Sequence, residues 1–331
     1  MRALITGGAG FIGSHLAERL LQDGHQVTVL DDLSTGSIDN IKHLRQHDRF
    51  EYHLESIFNR PILAELVDAC DVVFHLAAAV GVRNIVESPV RTIETNVGGS
   101  ELVLQMASKK RKRFVITSTS EVYGKSTSFP FSEDDDLVLG PTNVGRWSYA
   151  CSKALDEFLA LAYFHERRVP VTVLRLFNTV GPRQTGRYGM VLPTFVGQAL
   201  RNEPVTVFGT GEQSRCFAHV SDVVNGIVAC ATSSKTIGHV FNLGNTEEIS
   251  INELAAKVIS MSDSSSEIVH LTYEEAYGEG FEDMARRVPD LRKAGKFFGY
   301  CPKKSLDDII SSVIDYVRDG GRVNRTVPLA A

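Results

Sequence analysis

Short apolar, β-rich runs alternate with longer amphipathic stretches through the first half of the chain. The runs are Ala3-Leu4-Ile5-Thr6, Gln26-Val27-Thr28-Val29-Leu30, Val72-Val73-Phe74, Phe114-Val115-Ile116-Thr117 and Val171-Thr172-Val173-Leu174. Helical patterns lie between most of them, at Phe11 to Leu21, Pro89 to Ser108 and Ser148 to His165. Strands alternating with helices predict an α/β fold built on a doubly wound parallel sheet. The runs are apolar almost throughout, as expected of strands covered on both faces.

The texture changes after Phe177. Gly181 to Gly186 reads as a loop, Val220 to Ala231 as a helix, and Val240 to Leu243 as a strand that returns to the main sheet. Ser262 to Ser266 is expected on the surface, Tyr273 to Arg287 as irregular chain, and Leu306 to Val317 as a last amphipathic helix. A chain of 331 residues suits one large domain and a smaller one. The expected division is residues 1–177 plus roughly 217–245 in the large sheet domain, and 178–216 with 246–331 in a smaller mixed α/β domain.

Composition narrows the function classes. The 35 basic and 40 acidic side chains leave a formal charge of −5, which gives no reason to expect a nucleic-acid partner. The basic run Lys109 to Arg113 fits a solvated helix C-terminus. Cys70, Cys151, Cys216, Cys230 and Cys301 form no CxxC pair, so neither zinc nor a disulfide framework is expected. Scattered thiols fit a reducing compartment, and no apolar run reaches membrane-spanning length. Met1 leads directly into a strand, without a signal-peptide pattern, so a cytoplasmic location is expected.

Gly7-Gly8-Ala9-Gly10-Phe11-Ile12-Gly13 follows the first strand and opens the first helix. Small residues there let backbone approach a pyrophosphate, and the helix N-terminus favours its charge. The second strand ends in Asp31-Asp32, where a carboxylate can accept both hydroxyls of an adenosine ribose. A carboxylate repels a 2′-phosphate, so the pattern favours NAD over NADP in a Rossmann-type domain.

Tyr149 and Lys153 share one face of a predicted helix. A phenol with a pKa of about 10 is a poor base at neutral pH, and a nearby ammonium lowers that value. Thr119, just past the strand Phe114 to Thr117, is placed to hydrogen-bond the same reacting hydroxyl.

These residues carry a resemblance to the extended short-chain dehydrogenase/reductases. It runs nearly end to end, through TGGAGFIG at the N-terminus, HLAA from His75, STSEVYG from Ser118, YxxxK, RLFNTVGPR from Arg175 and GTGEQSRCFAHVSD from Gly209. Members with these motifs act mostly on nucleotide-diphosphate sugars, which they oxidise at C4 with bound NAD⁺, transform and usually reduce again. The resemblance implies a cofactor site at Gly7, Gly10, Phe11, Ile12, Gly13, Asp31, Asp32, Ser34, Thr35, Gly36, Ser56, Ile57, Leu76, Ala77, Ala78, Asn96, Thr117, Tyr149 and Lys153.

For the reaction, Thr119-Ser120-Glu121 matches the Thr-Ser-Glu of UDP-glucuronate decarboxylases, whereas plain 4-epimerases usually lack the carboxylate. Arg146-Trp147-Ser148-Tyr149, Gly280 to Asp283 and Arg286 to Asp290 resemble the 4-amino-arabinose-pathway decarboxylase and UDP-apiose/xylose synthase. The resemblance implies that Arg146 holds the sugar carboxylate and that Glu121 and Arg287 serve decarboxylation and reprotonation. Oxidising C4 of a glucuronate gives a β-keto acid, which loses CO₂ readily. The remaining readings are a UDP-glucose or UDP-glucuronate 4-epimerase, a 4,6-dehydratase, and a noncatalytic NAD(H) sensor. The intact Tyr149–Lys153 pair counts against the sensor.

The substrate side is expected at Thr119, Ser120, Arg146, Tyr149, Asn178, Val191, Phe208, Arg215 and Arg287, with Asn178 and Arg215 near the diphosphate and Phe208 near the base. Where relatives place an aspartate for the adenine amine, the chain reads Leu54-Glu55-Ser56-Ile57, leaving Ser56 as acceptor. Cys151 is expected as a small buried packer. Relatives commonly dimerise through the helix that carries Tyr149, so a homodimer is implied.

Overall fold

The computed structural model describes residues 1–81, 85, 88–186, 190–277 and 282–321. Gly280 and Phe281, part of the motif noted above, lie outside the described residues. The expected parallel sheet is present and has seven strands. In chain order, six of them are β1 (Arg2–Thr6), β2 (Gln26–Asp31), β3 (Phe50–Leu54), β4 (Val72–His75), β5 (Arg113–Thr119) and β6 (Val171–Leu176). The seventh, His239–Leu243, returns from the second half to pair with β6. From that edge the order runs through β6, β5, β4 and β1 to β2 and β3, every pair parallel.

Two apolar cores sandwich the sheet, which is why its central strands lack alternation. On one face helix Phe11–Gln22 and helix Val220–Thr232 bury Leu16, Leu20, Val224 and Ile227 against Ile5, Val29 and Phe241. On the other, helices Arg60–Ala69, Gly99–Lys109 and Trp147–Arg167 bury Leu63, Val103 and Ala160 against Leu4, Phe114 and Val173. A buried bidentate pair, Arg175 Nη2 to Glu157 Oε2 at 2.8 Å and Nε to Oε1 at 3.0 Å, ties β6 to the helix that carries Tyr149. Arg175 of the RLFN motif therefore acts on the scaffold.

A third core joins helices Val191–Leu200, Ile251–Met261 and Leu306–Arg318 to the paired strands Val205–Phe208 and Ile268–Leu271. The last two helices start in capping boxes, Ser250 with Glu253 and Ser305 with Asp308.

Several details depart from the sequence reading. The helical pattern Pro89 to Ser108 is interrupted by a wider turn at Glu94–Gly98, between helices Pro89–Ile93 and Gly99–Lys109. There the Asn96 side chain bonds the Ala79 backbone and the Ser152 hydroxyl, an insertion that widens a helical turn. The stretch Tyr273 to Arg287 is not irregular throughout: Tyr273–Tyr277 is helical and Arg286–Arg287 forms a strand beside Ser214–Cys216. Helix Arg292–Phe298 packs on the large sheet through Ala294, and Phe297 and Phe298 meet the Phe241 ring edge to face. Of the basic run, Arg113 is no solvated terminus. It opens β5 and donates to Pro170 O, Thr172 Oγ1 and Thr236 Oγ1 at 2.7 to 2.9 Å.

Candidate active site

A cleft of about 1580 Å³ opens at the C-terminal ends of the sheet strands, where doubly wound folds hold ligands. One end is the glycine turn after β1. Gly7 has φ +74°, and a Cβ there would come within 2.7 Å of Ala77 N. A Cβ on Gly13 would meet Gly7 O at 2.3 Å. Both positions require glycine, and the next helix begins at Gly10 without a side-chain cap. Asp31 Oδ2 accepts from Ala9 N at 2.9 Å and Oδ1 from Leu33 N at 2.8 Å. Burial pushes the Asp31 pKa up, against those backbone donors. Asp31 thus braces the turn, and Asp32 is the more exposed carboxylate on the cleft wall.

Phe11, Ile12, Ser34, Thr35, Gly36, Ser56, Ile57, Leu76, Ala77, Ala78 and Thr117 also line the cleft. Asn96 does not. Its amide is used in holding Ala79 and Ser152, so its place is behind the wall.

Midway along the cleft stand Tyr149 and Lys153 on the long helix, with Thr119 at the end of β5. Burial raises the Tyr149 pKa first, and the charges of Glu121 and Asp156 add to it; Arg146 and a hydrogen bond from Thr119 oppose them. The Lys153 ammonium donates to Asp156 Oδ2 at 2.7 Å.

Beyond Tyr149 lies a buried ionic cluster. Arg146 pairs with Glu121 and lies 4.0 Å from Asp283. Arg287 Nη1 is 3.5 Å from Glu121 Oε1, and its Nη2 is 3.5 Å from Asp283 Oδ1. Arg215 Nη2 donates to Asp283 Oδ2 at 2.8 Å. Desolvation opposes ionisation of Glu121, but Arg146 and Arg287 outweigh it and depress its pKa. Asp283 behaves likewise under Arg215, Arg287 and Arg146. Burial draws the Arg215 guanidinium down to about 10, which leaves it charged at neutral pH. Three cations facing two carboxylates leave one positive charge over, a strong place for an anionic substrate group.

Ser120, Asn178, Val191 and Phe208 complete the wall. Asn178 Nδ2 donates to Cys216 O at 3.3 Å. Arg146 is 3% exposed, so its guanidinium is held inside the cluster and away from solvent. Cys151, expected to be buried, is exposed, because it shares the outer stripe of its helix with Leu155 and Phe158. Sequence reasoning assigned no role to Asp283 or Asp156. The signal was there: Asp283 precedes Arg287 by four residues, and Asp156 follows Lys153 by three.

Among the described residues no group of three or more His, Cys, Asp or Glu could hold a metal ion. No helix there is long and apolar enough to cross a membrane.

Comparison with known proteins places the chain in a family. Residues 4–313 match the family described as GDP-mannose 4,6 dehydratase. The chain is 42% identical over 329 residues to a UDP-N-acetyl-alpha-D-glucosaminuronate decarboxylase of Bacillus cytotoxicus, covering 96% of this chain and 98% of the relative. It is 38% identical to UDP-glucuronic acid decarboxylase 1 of Xenopus tropicalis, covering 96% and 72%. Among solved structures, UDP-glucuronic acid 4-epimerase of Bacillus cereus, in complex with UDP-glucuronic acid and NAD, superposes with a TM-score of 0.85 at 31% identity, covering 96% and 99%.

Proposed function

The chain belongs to the GDP-mannose 4,6-dehydratase family of extended short-chain dehydrogenase/reductases, and on that premise we propose that it decarboxylates UDP-glucuronate with NAD as its cofactor. The observation that carries this reading is the Glu121–Arg146–Arg287–Asp283–Arg215 cluster beside Tyr149. It is a charge arrangement suited to a sugar that bears a carboxylate.

The residues fit the cofactor. The glycine turn is a cradle that side chains would fill, the uncapped helix N-terminus suits a pyrophosphate, and Asp31 and Asp32 stand where ribose hydroxyls would reach. When bound, NAD supplies the hydride acceptor and donor at C4. Tyr149 takes the C4 hydroxyl proton, with Thr119 orienting that hydroxyl and Lys153 favouring the phenolate. Arg146 holds the sugar carboxylate through its planar fork. Oxidation at C4 places a ketone β to that carboxylate, so the C5–C6 bond breaks and its electrons pass into an enolate. Glu121 and Arg287 then guide the returning proton to C5. Asn178 and Arg215 serve the diphosphate, and Phe208 the base.

A second reading concerns C2 of the sugar. The Bacillus cytotoxicus relative is named for an N-acetylated hexuronate, so UDP-N-acetylglucosaminuronate is the competing substrate. The test is mass analysis of products after incubation with UDP-glucuronate, UDP-N-acetylglucosaminuronate and UDP-glucose. Loss of about 44 mass units, one CO₂, identifies decarboxylation. An unchanged mass with inverted C4 stereochemistry would replace this reading with 4-epimerisation.

We further propose that the protein is a cytoplasmic homodimer. Val90, Ile93, Leu155 and Phe158 are 43% to 67% exposed on two helices packed side by side, an apolar area that a second copy would cover.

A further inference from the structure

Among the described residues, the hydrogen bond that Lys153 makes goes to Asp156, one helical turn along. The side chains are 3% and 1% exposed, so water does not screen the pair. Asp156 Oδ1 is buried without a hydrogen-bond partner among the described residues. A carboxylate in that position, half satisfied and deep in the core, is costly unless it serves the lysine. Behind it runs a polar track. The Ser100 hydroxyl faces Asp156, His75 Nε2 lies 3.2 Å from Ser100 Oγ, and Thr6 Oγ1 lies 2.7 Å from His75 Nδ1. Burial holds the His75 pKa near 3, so the ring is neutral and adds no cation.

We propose that Asp156 is a positioning residue for Lys153: its buried carboxylate fixes the ammonium and withholds part of its charge from Tyr149. The inference rests on the reading of Tyr149 as base and Lys153 as its partner. Seen from the phenol, a lysine paired at 2.7 Å is close to a dipole, and a dipole stabilises a phenolate less than a bare cation does. Other groups face this pair. Glu121 and Arg146 approach Tyr149 from one side, His75 faces Lys153 from β4, and Glu157 lies beside Asp156 but is engaged by Arg175. Each stays in place when Asp156 alone is changed.

The test is Asp156→Asn, which keeps the shape and removes the charge. Single-turnover NADH formation, read by absorbance against pH, should show its acid limb displaced to lower pH by about one unit. A lower Tyr149 pKa leaves more of the phenolate base at a given pH, which sets the sign. Asp156→Glu should return the limb toward wild type. A readout without turnover is the 13C signal of tyrosine Cζ in NAD-free protein, with Tyr149 assigned by its loss in Tyr149→Phe; it should titrate lower in Asp156→Asn. Should that variant fail to fold, Ser100→Ala weakens ionisation of Asp156 and should move the limb the same way, by less. A folded variant with reduced turnover and an unmoved limb would overturn the proposal, leaving Asp156 a packing role. NADH forms from any sugar oxidised at C4, so this result stands apart from whether CO₂ is lost, which product mass decides.

Discussion

Arg287 Nη1 lies 3.5 Å from Glu121 Oε1, although one belongs to a two-residue strand near the end of the chain and the other to the turn after β5. The Arg287 Nε is buried with no hydrogen-bond partner among the described residues. In the proposed mechanism Glu121 and Arg287 are an acid–base pair beside Tyr149 that the hydride step does not need. Removing it should therefore separate oxidation at C4 from the later loss of CO₂. In Glu121→Gln, mixing with UDP-glucuronate should still give NADH absorbance, while release of CO₂ falls by about 10²-fold or more. Equal loss of both signals would show that Glu121 serves the first step instead.

Tyr149→Phe should lower turnover by about 10³-fold while NAD affinity stays within a few-fold of wild type. Turnover by product mass and NAD titration by calorimetry check the two halves. A variant that loses NAD affinity in step with turnover would place Tyr149 in the cofactor cradle rather than the chemistry.

The cradle makes its own prediction. Gly7→Ala puts a Cβ within 2.7 Å of Ala77 N at φ +74°, where backbone must shift. The expected cost is about 1 kcal/mol or more of stability, with a larger fall in NAD binding. Thermal melts with and without NAD measure both, and the NAD-dependent increase in Tm should shrink in the variant.

Two histidines weigh on the acid side of the stability profile. His15 is held near 4, by burial first and then by Arg183, and His75 near 3 by burial. An unfolded histidine takes its proton near pH 6.5. Both folded values are depressed, so the unfolded state binds more protons as pH falls through that value. Stability should then drop from about pH 6.5 downward, to about 4 through His15 and on to about 3 through His75. His15→Asn should flatten that part of a plot of Tm against pH; an unchanged slope would exclude His15 as its source.

Phe158 is 67% exposed on the outer stripe of the Tyr149 helix. Phe158→Glu should convert the proposed dimer to monomer in light scattering, with NAD binding retained. A monomeric wild type would remove the dimer reading altogether.

The periodic signals were legible in the chain. Apolar runs without alternation pointed to a parallel sheet, because both its faces are covered by helices. The glycine turn was readable because its backbone requirement is local: Gly7 needs positive φ, and Gly13 touches Gly7 within the same turn. Tyr149 and Lys153 were readable because helical spacing is also local. What joins distant segments was not. The sequence by itself could not bring Arg215 and Arg287 to Asp283, or Glu121 to Arg146, since those contacts depend on how the strand Arg286–Arg287 pairs with Ser214–Cys216 and how that sheet meets β5. Nor could it assign the partner of Lys153. Asp156 and Tyr149 are both within one helical turn of it, and the tertiary structure favours Asp156, because Ser100 and the core around it bury that carboxylate against the ammonium.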